Sequence, residues 1–306
     1  AVSPITVTAT LRYQTTSKEY VDFLLNEALA NSFPNDCLER TTGFPGKPRA
    51  AVLFDYWTAY DRSPPVDMAS AQGSLPVTSV DPFLCYRTRA TKGSPPFARG
   101  LGIGVTDRFG TGDDDARKSV ALCAPADAGN GVGDADTHLA SYQIATSHGS
   151  SAPAVLARTV TDRFGTLTLD AVKRAELLLP TARGTGLPPP DPSSHDVDTF
   201  ACYKVKRSVG ASALPRGLEM TVSTGLTTPA KRFTVKSVTR LCVAADREGT
   251  GYHHPTAALM CYRVKPAKGE PGFAPVLGQD VNDALGSLTL DALGESTLCV
   301  PATVAP

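Results

Sequence analysis

The clearest alternation of apolar and polar positions lies at the start of the chain, where ITVTATLRY places Ile5, Val7, Ala9 and Leu11 on one face and threonines on the other, a strand running to Tyr13. The same two-residue period returns in FACYKVKR, with Tyr203 and Val205 on one face and Cys202, Lys204 and Lys206 on the other. In TRLCVAA, Leu241 and Val243 flank Cys242 and face away from it. These patterns predict a sheet whose cysteines lie opposite a tyrosine-lined core face. The motif LTLDA, at Leu167 to Ala171 and again at Leu288 to Ala292, predicts one more short strand. Near the N-terminus the pattern changes. Thr16 with Glu19 forms a capping box ahead of Val21, Phe23, Leu24, Leu25 and Leu29, which predicts a short helix. RAAVLFDYWTAY, from Arg49 to Tyr60, reads as a further strand and holds Trp57, the only tryptophan.

Comparing the chain with itself gives four copies of one unit. A first strand reads FLCYRTRA, LASYQIAT, FACYKVKR and LMCYRVKP, with Tyr86, Tyr142, Tyr203 and Tyr262 in one slot. A second follows as GVTDRFG, TVTDRFG, TVSTGLT and DVNDALG, after 20, 19, 20 and 20 residues counted from Cys85, Ser141, Cys202 and Cys261 to Val105, Val160, Val222 and Val281. Each copy closes on a last strand: VALCAPA, ELLLPTA, TRLCVAA and STLCVPA.

Copy two has lost both cysteines together, with Ser141 and Leu178 in their places, and such paired loss is what a bond between first and last strand predicts. The expected pairs are Cys85 with Cys123, Cys202 with Cys242, and Cys261 with Cys299. Each closes a loop of some forty residues, contributing about 3 to 4 kcal/mol by the chain-entropy relation. With no CxxC motif and no histidine at ligand spacing beside the pairs, zinc is not the reading. Stable disulfides imply an oxidising compartment, and the expected location is extracellular or at the cell surface, after export through a cleaved signal peptide. Cys37 is the seventh cysteine, either buried and unpaired or bonded to another chain.

The predicted fold is all-β: disulfide-stapled four-stranded repeats that pair into two sandwich- or barrel-like domains, with a small N-terminal α+β segment. The expected boundaries are 1–79 for the N-terminal segment, 80–184 for repeats one and two, 185–197 for a proline-rich linker, and 198–306 for repeats three and four. The CYxVK opening, VxDxFG middle and LCVPA ending resemble an uncharacterised bacterial extracellular repeat domain found in tandem in secreted proteins. The resemblance covers about residues 80–303; copy two departs from it at both cysteines, and copy three at the Asp and Gly of the middle motif. It implies fold and compartment and brings no catalytic role.

Composition narrows the function classes. Thirty Lys and Arg balance thirty Asp and Glu, which removes any general attraction to nucleic acid or anionic lipid. No run reaches the roughly 18 apolar residues of a membrane span. The 26 Gly and 25 Pro suit many short strands joined by turns. GxSxG, HExxH, P-loop and dinucleotide-binding glycine motifs are missing, so no catalytic residue, cofactor or metal site is nominated and no enzyme is expected. Gly100, Gly102 and Gly104 read as a bulge or close strand packing. The Asp113 to Asp115 run and the Asp127, Asn130, Asp134 and Asp136 cluster read as solvated turns, His253 and His254 as loop residues, and Asp107, Asp162 and Asp283 as turn caps. The expected function is a secreted structural protein of a filament or surface assembly. Its partners would be copies of itself, and the assembly strand Ile5, Val7, Ala9, Leu11 and Tyr13 would add to a neighbour's sheet. The alternative is a monomeric adhesin or carbohydrate-binding module.

Overall fold

The computed structural model describes residues 5–14, 16–30, 49–62, 64–75, 80–129, 131–150 and 155–305. The chain divides into two compact units, Ala1–Val77 and Thr78–Pro306.

The first unit is a small α+β body. Strand β1, Ile5–Tyr13, does not stand alone: it pairs antiparallel with β2, Val66–Leu75, from Ile5 opposite Leu75 to Tyr13 opposite Val66. The run of Ala, Ser, Gln and Gly in β2 gave no strand signal, and the pairing with β1 is what makes it one. Helix α1 is Lys18–Ala30, capped by Ser17 rather than Thr16: the Ser17 Oγ accepts from the Tyr20 amide at 3.2 Å. The segment expected as a strand at 49–60 is instead helix α2, Arg49–Ala59. Its aromatic and branched residues suggested a strand, but Val52 and Trp57 are buried and the helix packs against α1, where Val21 is fully buried. Packing has overridden propensity here.

The second unit is all-β and carries the four repeats. Repeat one supplies β3 (Phe83–Ala90), β4 (Gly100–Asp107) and β5 (Gly110–Pro125). Repeat two supplies β6 (Thr137–Thr146), β7 (Val155–Asp162) and β8 (Gly165–Arg183). Repeat three supplies β9 (Phe200–Arg207), β10 (Glu219–Val222) and β11 (Lys231–Arg247). Repeat four supplies β12 (Ala258–Pro266), β13 (Val276–Asp283) and β14 (Gly286–Val304). Each repeat thus has three strands rather than four. The LTLDA segments lie in the first halves of β8 and β14, paired with β7 and β13 and continuous with the last strands.

Those last strands are long because each serves two purposes. The first half of β5 forms a hairpin with β4, and the second half pairs β3. Along β6 its register shifts twice, between Ala116 and Lys118 and between Ser119 and Ala121. β8, β11 and β14 carry equivalent shifts against β9, β12 and β3. Such bulges bend a strand and increase its twist, which lets one strand leave the hairpin and enter a second sheet.

First and last strands alternate around a closed ring: β3, β5, β6, β8, β9, β11, β12 and β14, with β14 pairing back onto β3. Closure leaves the ring without edges. It also replaces the expected pair of domains with one body. The proline-rich segment beginning at 185 does not separate two cores, because β8 pairs β9 directly across it and the two ends of the repeat array meet at β14 and β3. Four bent sheets bury their apolar faces best against one another, and only a ring gives every repeat two neighbours.

Strands β4, β7, β10 and β13 are not members of the ring, and each of their hairpins reaches two repeats away. β4 pairs the end of β11, β7 the end of β14, and β13 the end of β8, while in repeat three a bridge joins Ser223 to Asp127. Of Gly100, Gly102 and Gly104, read as a bulge or close strand packing, the first two flank a bulge, where the register of β4 shifts between Gly100 and Ile103 with Gly102 at φ +61°, and Gly104 pairs regularly with Asp113.

Candidate functional site

The cysteines occupy directly opposed positions on neighbouring strands: Cys85 opposite Cys123, Cys202 opposite Cys242, and Cys261 opposite Cys299. All three pairs are disulfide-bonded, with sulfurs 2.04 to 2.05 Å apart. They gather into one buried cluster with Phe83, Leu139, Leu178, Phe200 and Leu259, and Cys242 Sγ lies 3.7 Å from Cys261 Sγ of the next bridge. The fourth position of this cluster belongs to Ser141 opposite Leu178. Polar groups reach it there: the Ser141 hydroxyl donates to Glu176 at 2.7 Å, and Glu176 is ion-paired with Arg240, whose guanidinium burial pushes down to about 10.

The tyrosines sit in a separate and larger apolar cluster. All four are fully buried, and each sends its hydroxyl to the middle-motif slot of the repeat two positions away. Tyr203 donates to Asp107 at 2.7 Å, Tyr142 to Asp283 at 2.6 Å and Tyr262 to Asp162 at 2.5 Å. In repeat three the slot holds Thr224, and Tyr86 bonds Thr224 and Thr227 at 2.6 Å each. A ring packs against each tyrosine: Phe273 on Tyr86, Phe97 on Tyr142, Phe109 on Tyr203 and Phe164 on Tyr262.

The slot residues cap the hairpin turns as well. Asp107 accepts from the Phe109 and Gly110 amides, Asp162 from Phe164, Asp283 from Leu285, and Thr224 Oγ1 from Leu226 and Thr227. One residue therefore shapes a turn and fastens it to the opposite repeat. Burial raises the carboxyl pKa of Asp107 and Asp162 and brings Asp283 to about 6. It lifts Tyr86 to about 12 and the other three tyrosines higher still, so all four hydroxyls remain donors at neutral pH. The motif spacing revealed the capping role, but not the tyrosine partner, which is 96 to 141 residues away.

Two buried ion pairs complete this layer. Arg174, without solvent exposure, meets Asp114 at 2.7 Å and Asp107 at 3.4 Å and donates to the carbonyls of Val105 and Gly112. Lys231 meets Glu295 at 2.7 Å. Arg174 and Glu295 each stand four residues before the last-strand cysteine position of repeats two and four, whereas Asp114 stands nine residues before it in repeat one and Lys231 eleven before it in repeat three. The two pairs use the same last-strand position with opposite sign, and their hairpin partners are two residues out of step.

The Asp113 to Asp115 run lies in strand β5 and not in a solvated turn, with Asp114 buried against Arg174, and the neighbouring carboxylates are taken up by backbone amides and hydroxyls. Asp115 accepts from the Gly102 amide and the Ser147 hydroxyl, and Asp170 and Asp291 hold Ala157 and Gly278 in the same manner. Asp127 caps Gly129 and Gly131, and Asp134 caps Asp136 and Thr137. Among the described residues no group of three or more His, Cys, Asp or Glu side chains is placed to hold a metal. His253 and His254 lie outside the strands, next to His195. His195 and His253 have ring centroids 5.4 Å apart in a cleft walled by Pro189, Pro190 and Pro192, and buried Asp198 accepts from the amides of His253 and His254. His195 Nδ1 accepts from the Val197 amide, which leaves its neutral ring with a proton on Nε2.

The N-terminal unit presents a different surface. Cross-strand register puts Ala9, Leu11 and Tyr13 on one face with Ala71, Ala69 and Val66, and Thr10 and Arg12 on the other with Ser70 and Asp67. The apolar face is open: Leu11 is 64% exposed, Tyr13 53% and Val66 63%. The polar face carries an Arg12–Asp67 ion pair at 2.7 Å. Tyr20 and Phe23 on α1, Tyr56 on α2 and Tyr60 in the turn after it are also exposed, the last two stacked with centroids 6.3 Å apart. Cys37 lies outside the described residues. No helix among the described residues is long and apolar enough to cross a membrane. Compared with models of known families, with characterised proteins and with solved structures, the chain has no match.

Proposed function

We propose that this chain is an exported structural subunit whose N-terminal ribbon joins it to neighbouring copies in an extracellular assembly. The observation that carries the reading is the ribbon's open apolar face. A two-stranded ribbon is marginal in water by itself, and rows of Leu, Tyr and Val left to solvent are ordinarily covered by a partner. Within the described residues β1 has a strand on one edge only, so its other edge remains available for pairing. The occupant is a second copy of the chain, because a net charge of zero gives no electrostatic preference for a foreign partner and the interior of the repeat unit is already filled. The three disulfides support an oxidising compartment. Repeated head to tail, such a contact does not close on itself. Electron microscopy of the full chain carrying Leu11→Asp and Tyr13→Asp, alongside a chain lacking residues 1–13, tests the reading. Loss of assemblies is expected, and unchanged assemblies overturn it.

A second reading is a monomeric adhesin that binds sugars through the exposed rings of Tyr20, Phe23, Tyr56 and Tyr60. Aromatic faces stack on sugar rings, and these are concentrated in one unit. A glycan array that shows binding lost with Tyr60→Ala, together with a monomeric mass by light scattering, would favour it over assembly.

A further inference from the structure

The repeat unit has a seam that the sequence does not show. Repeats one and two form one half of the ring, and repeats three and four the other. All three disulfides lie within halves. So do the buried pairs of Arg174 with Asp107 and Asp114, and of Lys231 with Glu295. What joins the halves is non-covalent apart from one linker: the ring pairings of β8 with β9 and β14 with β3, the hairpin contacts of β4 with β11, β7 with β14 and β13 with β8, and all four tyrosine hydroxyl bonds. The partly buried Arg240–Glu176 pair crosses the seam too.

The joints differ in length to match. Strands β5 and β6 are separated by residues 126–136 and strands β11 and β12 by 248–257, but β8 and β9 by 184–199, which include Pro188, Pro189, Pro190 and Pro192. At about 3.1 Å per residue in an extended proline-rich segment, those residues span on the order of 50 Å. That is enough to carry one half out of its own ring and into another. Each half is complementary to the other half and not to itself, and any second copy of the chain carries the same two halves.

We propose that the halves exchange between chains, so that repeats one and two of one copy close a ring with repeats three and four of another, hinged at 184–199. The exchanged ring keeps every contact of the closed one, and the difference is confined to the linker and to the entropy of association. Since opening a finished ring would expose four buried tyrosines, the exchange takes place during folding. An open succession of exchanges links chains into a row. This self-contact goes beyond the ribbon and does not depend on it.

Lys173 and Lys204 are exposed and directly opposed across β8 and β9. With Lys173→Cys and Lys204→Cys in a Cys37→Ser background, the full chain is unfolded in guanidinium at acid pH without reductant, which keeps the halves stapled and suppresses thiol exchange. It is then refolded over a hundredfold range of concentration, oxidised and run on a non-reducing gel. Dimers and a ladder of larger species whose share rises at least severalfold with refolding concentration are expected, unchanged by Leu11→Asp. A bond confined to single chains at every concentration, or no bond at all, overturns the exchange. If links stay within chains while Leu11→Asp abolishes assembly, the exchange falls and the ribbon reading stands; links between chains with assembly indifferent to Leu11→Asp give the reverse.

Discussion

At the scale of single residues, the slot of Asp107, Asp162, Thr224 and Asp283 carries the most consequence. A carboxylate buried beneath a turn keeps its hydrogen bonds only while the opposite repeat supplies a tyrosine hydroxyl. Tyr203→Phe should therefore cost about 1 to 3 kcal/mol in denaturant unfolding, the range for leaving a buried polar group short of a partner. Tyr86→Phe should cost less, because its partners are neutral hydroxyls that also bond each other's turn. The titrations run in opposite directions. Asp283 is raised to about 6 by burial, so the folded state holds its proton more tightly than the unfolded chain. Its contribution to stability consequently grows as pH falls from about 6 towards 4, by roughly 3 kcal/mol for a shift of two units. His138 is lowered by burial, with Nδ1 donating to the Asp136 carbonyl and Arg183 facing Nε2. The folded state prefers it neutral, and its contribution is present above pH 6.5 and lost on acidification. Asp283→Asn should steepen the loss of stability between pH 7 and 4.5, and His138→Gln should lessen it, as read from unfolding midpoints across that range.

At the scale of elements, four hairpins must each find the correct last strand, and the buried charges distinguish them. Arg174 meets an acidic hairpin in repeat one, and Glu295 meets a basic one in repeat three. The other two last strands offer Ser119 and Val238 in that slot, opposite hairpins carrying Leu290 and Leu169. A misplaced hairpin would bury like charges or leave one charge alone. Arg174→Glu should thus destabilise by about 3 to 5 kcal/mol, the range for an orphaned buried partner, and adding Asp114→Lys should restore part of that loss by returning an opposite charge to the facing position. A double-mutant cycle on unfolding free energies checks it. Elements also mark where sequence reading failed. Helix α2 was taken for a strand because its aromatics favour strands locally, and β2 was missed because alanines, serines and a glycine carry no period.

At the scale of the whole molecule, the ring of stapled strands leaves one position open. Ser141 and Leu178 are directly opposed, as the bonded cysteines are in the other repeats. Ser141→Cys with Leu178→Cys should form a fourth disulfide, seen as an unchanged free-thiol count in denatured, unreduced protein. A gain of about 3 kcal/mol is expected from the chain-entropy relation. Much of this molecule was determined by its sequence alone: the four repeats, their strand spacing, the cysteine pairs and the opposition of cysteine and tyrosine faces. Each follows from local period or from the paired loss in repeat two, and both survive in one dimension. The tertiary structure decided what no local signal encodes. It made one ring where a proline-rich linker suggested two domains, because two bent sheets cannot cover each other's edges as a closed set of eight strands can. It sent every tyrosine to the repeat two positions away, a contact fixed by closure and invisible to spacing. It also turned the lone N-terminal strand into a ribbon, since a strand's partner is chosen by register across the chain and not by its own sequence.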